Sequence, residues 1–301
     1  MIGLLGCGIW GRNILRDLVE LGAEVHVVET DATARGRAMA GGARLATEHV
    51  PPVGSVRGWV IATPATVHEE SIAAVLSDGV PLLCEKPLAN DAAAAQRIER
   101  QVRAAGIACH MVDVWRYHPA VTTLAAIARD GTIGEPLGLV STRANWTSPR
   151  QDVDTLSNLG PHEISLYREI LAAEPVPASA FAERLDGRIV SAWIRFEGAA
   201  WMQSLLSNRW EIRRRELRLH GSAGIAVYAA DRGEHLIVAS GPADDRLEAA
   251  ERRRVELPTT SALRAQLADW LGFLDGGPEP KTSLRLGVQS VEIIETLRQQ
   301  M

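Results

Sequence analysis

Ile2-Gly3-Leu4-Leu5-Gly6-Cys7-Gly8-Ile9-Trp10-Gly11-Arg12-Asn13 opens the chain, and its reading decides the fold. An apolar run of strand length meets three glycines in G-x-G-x-x-G spacing. Beyond them Ile14, Leu15, Leu18 and Val19 recur at helical spacing, and a second apolar run, Val25 to Val28, ends in Glu29. Strand, glycine loop, helix, strand and acid in that order specify a βαβ unit built on a tight turn. Gly6 permits the turn out of the strand. Gly8 has no Cβ, so a ligand can approach the backbone, and Gly11 lets the helix pack closely on the strand.

Such a turn is an anion site. The free N–H groups of the helix start point at the ligand, and the helix dipole favours a pyrophosphate there. Glu29 follows Gly8 by 21 residues, near the ~20 expected of the acid that binds a dinucleotide's ribose. A carboxylate accepts hydrogen bonds from the 2′-OH of NAD and repels the 2′-phosphate of NADP. Asp31 adds to that repulsion. NAD is the expected cofactor, and NADP the less favoured one.

The 301 residues allow one large domain or two ordinary ones, and 46% apolar content allows a real core. A net charge of −5 with no long basic block disfavours nucleic-acid and membrane-surface binding. No leader-like segment opens the sequence and no apolar run approaches the ~20 residues of a membrane span. Cys7, Cys84 and Cys109 lie in or beside apolar segments and read as buried thiols, which makes the cytoplasm the default compartment. No His, Cys or acid cluster has metal-ligand spacing, so no metal is expected.

Up to about residue 112 strands and helices alternate. Helical patterns cover 31–40, 68–76 and 91–105, with Asn90 or Asp91 as the cap of the last. Strand patterns cover 43–45, 59–62, 80–84 and 107–112. That alternation predicts a parallel sheet with ligand loops at the carboxyl ends of its strands. Those loops carry the expected cofactor set: Gly6, Gly8, Ile9, Trp10, Gly11 and Glu29, then Thr63, Pro64, His68, Glu85 and Lys86. After Tyr117-His118-Pro119 a helix to Arg129 and a strand at 137–146 lead to a polar, irregular stretch over 147–157. A helix is expected to start at Gly160-Pro161, with Pro in the first helical position. Six successive strand-like runs between 178 and 239 predict a largely antiparallel open sheet, so the fold class is α/β: an N-terminal Rossmann domain plus a C-terminal α+β domain. Residues 241–254 are charged and read as exposed, and helices at 259–275 and 284–300 close the chain. The expected domains are 1–117, 118–283 and a C-terminal helix, 284–301, packing back on the first. Trp193, Phe196, Trp201 and Met202 are expected to form one apolar sheet face that meets a helix or another subunit.

Ile2 to Asp31, Ala62-Thr63-Pro64, Glu85-Lys86-Pro87, Tyr117-His118-Pro119 and Gly160-Pro161-His162 resemble, in this order, the Gfo/Idh/MocA (glucose-fructose oxidoreductase / inositol dehydrogenase) family. The resemblance runs from Met1 to about Leu171 and returns faintly at Gly276 to Leu286. A narrower likeness, in Gly6 to Asn13, Tyr117-His118-Pro119-Ala120 and Arg143-Ala144-Asn145 through Arg150 to His162, is to members acting on nucleotide sugars, among them UDP-N-acetylglucosaminuronate 3-dehydrogenases. The resemblance implies a Rossmann domain, an α/β domain with an open sheet, a nicotinamide cofactor and an oligomer. A homodimer or homotetramer through the C-terminal sheet is expected.

Hydride transfer at a C–H(OH) carbon needs the cofactor held, a proton moved and developing oxygen charge stabilised. Lys86, a cation at the cofactor edge of the sheet, is the expected donor to the substrate oxygen. His162 is the expected acid/base; in the first turn of its helix the dipole would keep it neutral, against the pull of Glu163. The family pattern has Asp four residues before this His, where the chain has Asn158. An amide can orient a hydroxyl but cannot accept its proton. Arg116, Arg143, Asn145 and Arg150 are candidate substrate ligands, since arginine forks match phosphate or carboxylate. Trp115 and Trp146 read as core packing before sugar stacking, and the remaining histidines as capping or core residues. The sequence therefore points to an NAD-dependent oxidoreductase of a sugar, cyclitol or nucleotide sugar. The alternatives are a family member with little or no turnover, because of Asn158, and a dehydrogenase of a non-sugar substrate.

Overall fold

The computed structural model describes residues 1–147, 153–233, 235–241 and 251–301. They form two compact units: Met1–Val114 with Leu263–Glu292, and Trp115–Ala262 with Ile293–Met301.

In the first unit β1 (Ile2–Leu5), α1 (Gly11–Glu20), β2 (Val25–Val28), α2 (Ala32–Ala40), β3 (Leu45–Thr47), β4 (Trp59–Ile61), α3 (His68–Val75), β5 (Leu82–Cys84), α4 (Ala92–Ala104) and β6 (Cys109–Met111) alternate. The strands make a six-stranded parallel sheet, ordered β3-β2-β1-β4-β5-β6. β2, β4, β5 and β6 are buried throughout, as strands covered on both faces must be, which is why they read as short apolar runs. The order reverses between β1 and β4, so the crevice beyond their carboxyl ends is the topological switch point. Asp31 and Asp91, not Asn90, cap α2 and α4 by accepting the Ala34 and Ala94 N–H groups. β3 lies two residues later than expected because Ala43 still closes the end of α2, donating its N–H to the Ala38 carbonyl.

The second unit holds α5 (Pro119–Asp130), β7 (Pro136–Trp146), α6 (Thr155–Leu171), β8 (Val176–Leu185), β9 (Arg188–Glu197), β10 (Trp201–Ser207), β11 (Arg209–Gly221), β12 (Gly224–Ala229), β13 (His235–Ser240) and β14 (Glu251–Glu256). Its eight strands run β14-β13-β12-β11-β7-β10-β9-β8. Only the β7–β10 ladder is parallel, so the sheet is largely antiparallel, as expected.

Two expectations fail in this unit, the start of α6 and the shared sheet face, and the exposed charged stretch holds a strand that carried no expectation. First, α6 begins at Thr155, not at Gly160-Pro161. Asp154 caps it by accepting the Ser157 N–H at 2.9 Å, and Pro161 lies inside the helix. Burial pushes the Asp154 carboxyl up, but bonds from Arg298 and Ser157 outweigh it and hold the group below its usual range. The described end of the charged 241–254 stretch is an edge strand. The side chains of β14 are mostly exposed, but its backbone pairs with β13 from Ser240–Glu251 to His235–Glu256. Charge on an edge strand blocks further pairing and hides the strand from an apolar-run reading. Second, the four expected face residues fall on two faces. Phe196 and Met202 are directly paired and fully buried, whereas Trp193 and Trp201 are each 37% exposed. Side chains of a strand alternate with period two, so neighbours such as Trp201 and Met202 cannot share a face.

Two helices close the chain, α7 (Ala262–Leu274) and α8 (Leu284–Gln299). Sequence grouping puts α7 in the second domain. Its Leu263, Leu267 and Trp270 pack instead with Ile14 and Leu18 in the first unit. Its buried Gln266 completes the end of β6, donating to the Met111 carbonyl at 2.7 Å and accepting the Asp113 N–H at 2.9 Å. No described helix is long and apolar enough to cross a membrane.

Candidate functional site

In the first unit four loops meet at the carboxyl edge of the sheet. Gly6 has φ +89° and a Cβ there would stand 2.9 Å from the Ala62 backbone. A Cβ on Gly11 would stand 2.5 Å from the Gly6 carbonyl oxygen. Fold geometry therefore explains both glycines. Gly8 is different: a Cβ there would meet no protein atom within 4 Å. The chain's own packing does not require glycine at that position, and open space in front of a helix N-terminus is what a bound pyrophosphate needs.

Glu29 at the end of β2 is held in place by this loop. Its carboxylate accepts the Cys7 N–H at 2.9 Å and the Asp31 N–H at 3.1 Å. The acid's position fits a ribose diol, and the residues present fit NAD. Burial first, then the Glu29 charge, raises the Cys7 thiol above its ordinary value. The Trp10 indole N–H donates to the buried Glu85 carboxylate, which also accepts the Lys86 N–H at 3.1 Å. The loop after β1 is thereby tied to the loop after β5. His68, fully buried, lies with its ring nitrogens 2.9 Å from the Thr63 carbonyl oxygen and 3.1 Å from that of Leu88, spanning the loops after β4 and β5. Ile9 is 83% exposed beside Gly8, an apolar surface left open by the fold. Lys86 is half-buried at the end of β5 and precedes Pro87 in a cis bond.

In the second unit α6 presents Asn158 and His162 one turn apart, both half-buried on a helix whose neighbouring positions are buried. The expected first-turn dipole at His162 is absent, because the earlier cap places His162 in the helix interior. The Trp115 ring lies 6.3 Å from the His162 ring, edge-on, and stacks on His118 at 4.6 Å. Trp115 thus packs as expected, whereas Trp146 is 67% exposed and lies under the Arg209 guanidinium.

The candidate substrate ligands separate. Arg143 is buried; its Nε donates to Glu163 at 2.8 Å and its guanidinium lies 4.0 Å above the Trp115 ring. Arg116 pairs with Glu169 at 3.0 Å, an ion pair between its segment and α6. Asn145 accepts the Thr147 hydroxyl at 3.3 Å. Arg150 lies outside the described residues. Arg215, Glu216 and Tyr228 are among the residues that line the pocket beside Arg143 and carried no expectation. The signal for Arg215 was present in the strand period, since Arg215, Leu217 and Leu219 share a parity and both leucines are buried.

Residues 1–112 match the model of the oxidoreductase family with an NAD-binding Rossmann fold, Gfo/Idh/MocA. The match covers the N-terminal part of the chain and shows there the NAD-binding Rossmann fold of that family. An inositol 2-dehydrogenase of Saccharopolyspora erythraea is 31% identical over 196 residues, which cover 62% of this chain and 58% of that relative. The chain therefore matches less than two thirds of the curated relative's length. Among solved structures, an oxidoreductase from Agrobacterium radiobacter in complex with NAD+, L-tartaric acid and magnesium superposes with TM-score 0.85 at 17% identity, over 99% of this chain and 95% of that one. A UDP-N-acetylglucosamine 3-dehydrogenase from Acidithiobacillus ferrooxidans gives 0.83 at 21%, over 100% and 97%. At these identities the likeness shows the fold.

Within this family frame Gly8→Ala is expected to leave folding stability within about 0.5 kcal/mol of wild type and to weaken NAD binding by about tenfold or more. Calorimetric titration beside denaturant unfolding checks both; unchanged NAD affinity would contradict the role given to Gly8. A second expectation concerns His118, which caps α5 by accepting the Ala120 N–H. Burial, with a smaller push from Arg143, lowers its pKa to about 4. Between that value and about 6.5 the unfolded chain binds the extra proton, so the stability contribution is full above pH 6.5 and is lost as pH falls to 4. The loss is of order 2 to 3 kcal/mol. Comparing unfolding of wild type and His118→Asn, which caps without titrating, at pH 7.5 and 4.5 measures it. Equal losses in the two proteins would refute it.

Proposed function

We propose that this protein is an NAD-dependent oxidoreductase that moves hydride between nicotinamide and a secondary hydroxyl or ketone carbon of a sugar, cyclitol or nucleotide sugar. The observation that carries the reading is the Gly8 opening beside a carboxylate fixed by the loop itself, in a chain whose residues 1–112 match this oxidoreductase family. The inositol 2-dehydrogenase relative and the nucleotide-sugar dehydrogenase of the same fold support the substrate class.

Nicotinamide, when bound, supplies the hydride acceptor or donor. The chain's own residues do the rest. The N–H groups after Gly8 hold the pyrophosphate, and Glu29 accepts the ribose hydroxyls and disfavours a 2′-phosphate. In the oxidation direction His162 is the proposed acceptor of the hydroxyl proton, and the Lys86 ammonium the proposed group that offsets negative charge developing on a substrate oxygen. Asn158, one turn before His162, orients a hydroxyl through its amide and does not accept its proton. That amide also favours a second reading, a cofactor-binding protein with slow or no turnover, since a neutral side chain stands where the family pattern has a carboxylate. The exposed row Phe181–Trp193, joined at Leu205, is the surface proposed for a homodimer or homotetramer through the open sheet.

Lys86→Ala and His162→Ala are each expected to cut turnover by about 10² or more, read as NADH absorbance with myo-inositol and a panel of sugars and UDP-sugars. Asn158→Asp is expected to raise it. Full activity in both alanine variants sinks the assignment. NAD binding with no turnover on the panel, and none gained by Asn158→Asp, supports the second reading. Light scattering is expected to give a dimer or tetramer that Trp193→Glu shifts toward the monomer; a monomeric wild type removes the sheet interface.

A further inference from the structure

The pocket beside Arg143 holds more positive charge than it neutralises. Arg143 on β7 and Arg215 on β11 are directly paired across the ladder, on the face that carries the buried Ser141 and Leu217. Of the two buried carboxylates that line the pocket, Glu163 is the one paired with Arg143. Both its oxygens are engaged, one by Arg143 Nε at 2.8 Å and the other by the Ser141 hydroxyl. Arg215 donates only to main-chain carbonyls, those of Arg214 at 3.0 Å and Ala144 at 3.3 Å. Among the described residues no carboxylate lies within ion-pair distance of it. The neighbouring Glu216 is spoken for, since Arg214 holds one oxygen at 2.9 Å and Arg218 the other. Arg143, Arg215 and Glu163 therefore leave one uncompensated positive charge in a partly buried pocket that Trp115, Thr142 and Tyr228 also line.

A half-buried cation beside a like charge is unfavourable unless an anion joins it. Burial, then the Arg143 and Arg213 charges, lower the Arg215 guanidinium to about 10, which leaves it protonated at neutral pH. We propose that this pocket is a subsite for a singly charged carboxylate, held by the Arg215 fork and the free edge of Arg143. A carboxylate matches the single excess charge and the planar fork geometry. A phosphate dianion would add a surplus negative charge next to Glu163 and Glu216. The pocket lies beside Trp115, the ring that also packs against His162. Resting on the hydride-transfer reading, the subsite assigns the substrate to carboxylated polyols over uncharged ones.

Thermal unfolding of the full chain in sodium glycolate, sodium acetate, sodium phosphate and sodium chloride, at equal ionic strength and pH 7.5, tests the pocket without any turnover. Glycolate and acetate are expected to raise Tm above the chloride value. The rise is expected to vanish in Arg215→Gln and to need at least fivefold more glycolate in Arg215→Lys, which keeps the charge without the fork. No carboxylate-specific rise in wild type, an undiminished rise in Arg215→Gln or Arg215→Lys, or a larger rise with phosphate overturns the proposal. Where turnover is found, the kcat/KM ratio of a carboxylated over an uncharged polyol is expected to fall at least tenfold in Arg215→Gln, and an unchanged ratio overturns the substrate assignment. A protein that shows the Tm response but no turnover retains the subsite and loses the dehydrogenase reading, so the two failures are distinct.

Discussion

The hydrogen bond from the Cys7 N–H to the Glu29 carboxylate joins the first two strands' loops into one surface. It exists because Gly6 turns through positive φ and because Gly11 lets α1 approach the Gly6 carbonyl, which together aim the Cys7 N–H at the end of β2. A charge-assisted bond of this type contributes about 1.5–3 kcal/mol. Its larger effect is geometric. The acid is fixed before any ligand arrives, so the ordering entropy of that side chain is spent in folding rather than in binding. Trp10 extends the same loop to Glu85, and Glu85 accepts the N–H of Lys86. The Lys86 backbone, just past β5, is thus tied through Glu85 to an indole within the glycine loop after β1.

The second unit uses a different device. Ser204, Ser141, Glu163 and Arg143 form a continuous buried chain of hydrogen bonds that ends in the cation–π contact with Trp115. A buried ion pair adds little net stability over apolar packing of the same volume, because two desolvated charges must first be offset. Breaking it costs several kcal/mol, so it specifies an arrangement rather than strengthens it. What it specifies is the orientation of Trp115, whose faces and edge are taken by Arg143, His118 and His162. His162 consequently sits against a ring that cannot turn without disturbing the ion pair.

The parallel sheet was legible because burial on both faces writes each strand as an unbroken apolar run, and because Asp31 and Asp91 mark helix starts by side-chain chemistry that acts locally. The glycine loop and Glu29 were legible for the same reason: their roles are set within about thirty residues, near the ~20-residue spacing of the motif. Features set by distant partners were not. β14 is a strand only because β13 offers it an edge, and its own residues read as a solvated charge run. Arg215 looks like one of several exposed arginines until the register with Arg143 turns it inward. Trp193 and Phe196 read as one face when aromatic content is given more weight than the parity of their positions. Arg143 reads as a candidate substrate ligand in sequence, but its burial beside Glu163, twenty residues later on another element, is not legible there.

At Pro161 a sound local rule gives the wrong helix boundary, and the true boundary decides the geometry of two candidate polar groups. Pro is favoured at the first helical position, and inside a helix it removes a rung of the ladder at a cost of about 3 kcal/mol. Yet α6 runs through it. The helix is held upstream by Asp154, which caps Ser157 and is itself clasped by Arg298, whose guanidinium also reaches the Ser157 hydroxyl at 2.7 Å. Downstream the Ser165 hydroxyl donates to the Pro161 carbonyl at 2.8 Å. The rung removed is the one to the Ser157 carbonyl, between Asn158 and His162. Had the helix begun at Pro161, Asn158 would lie in a loop with no fixed relation to His162. Beginning at Thr155, it sets the amide and the imidazole on one face, a single turn apart. A sequence that breaks a propensity rule at the one place where two candidate polar groups must share a helix face is using tertiary contacts to hold a geometry that local preference would not supply.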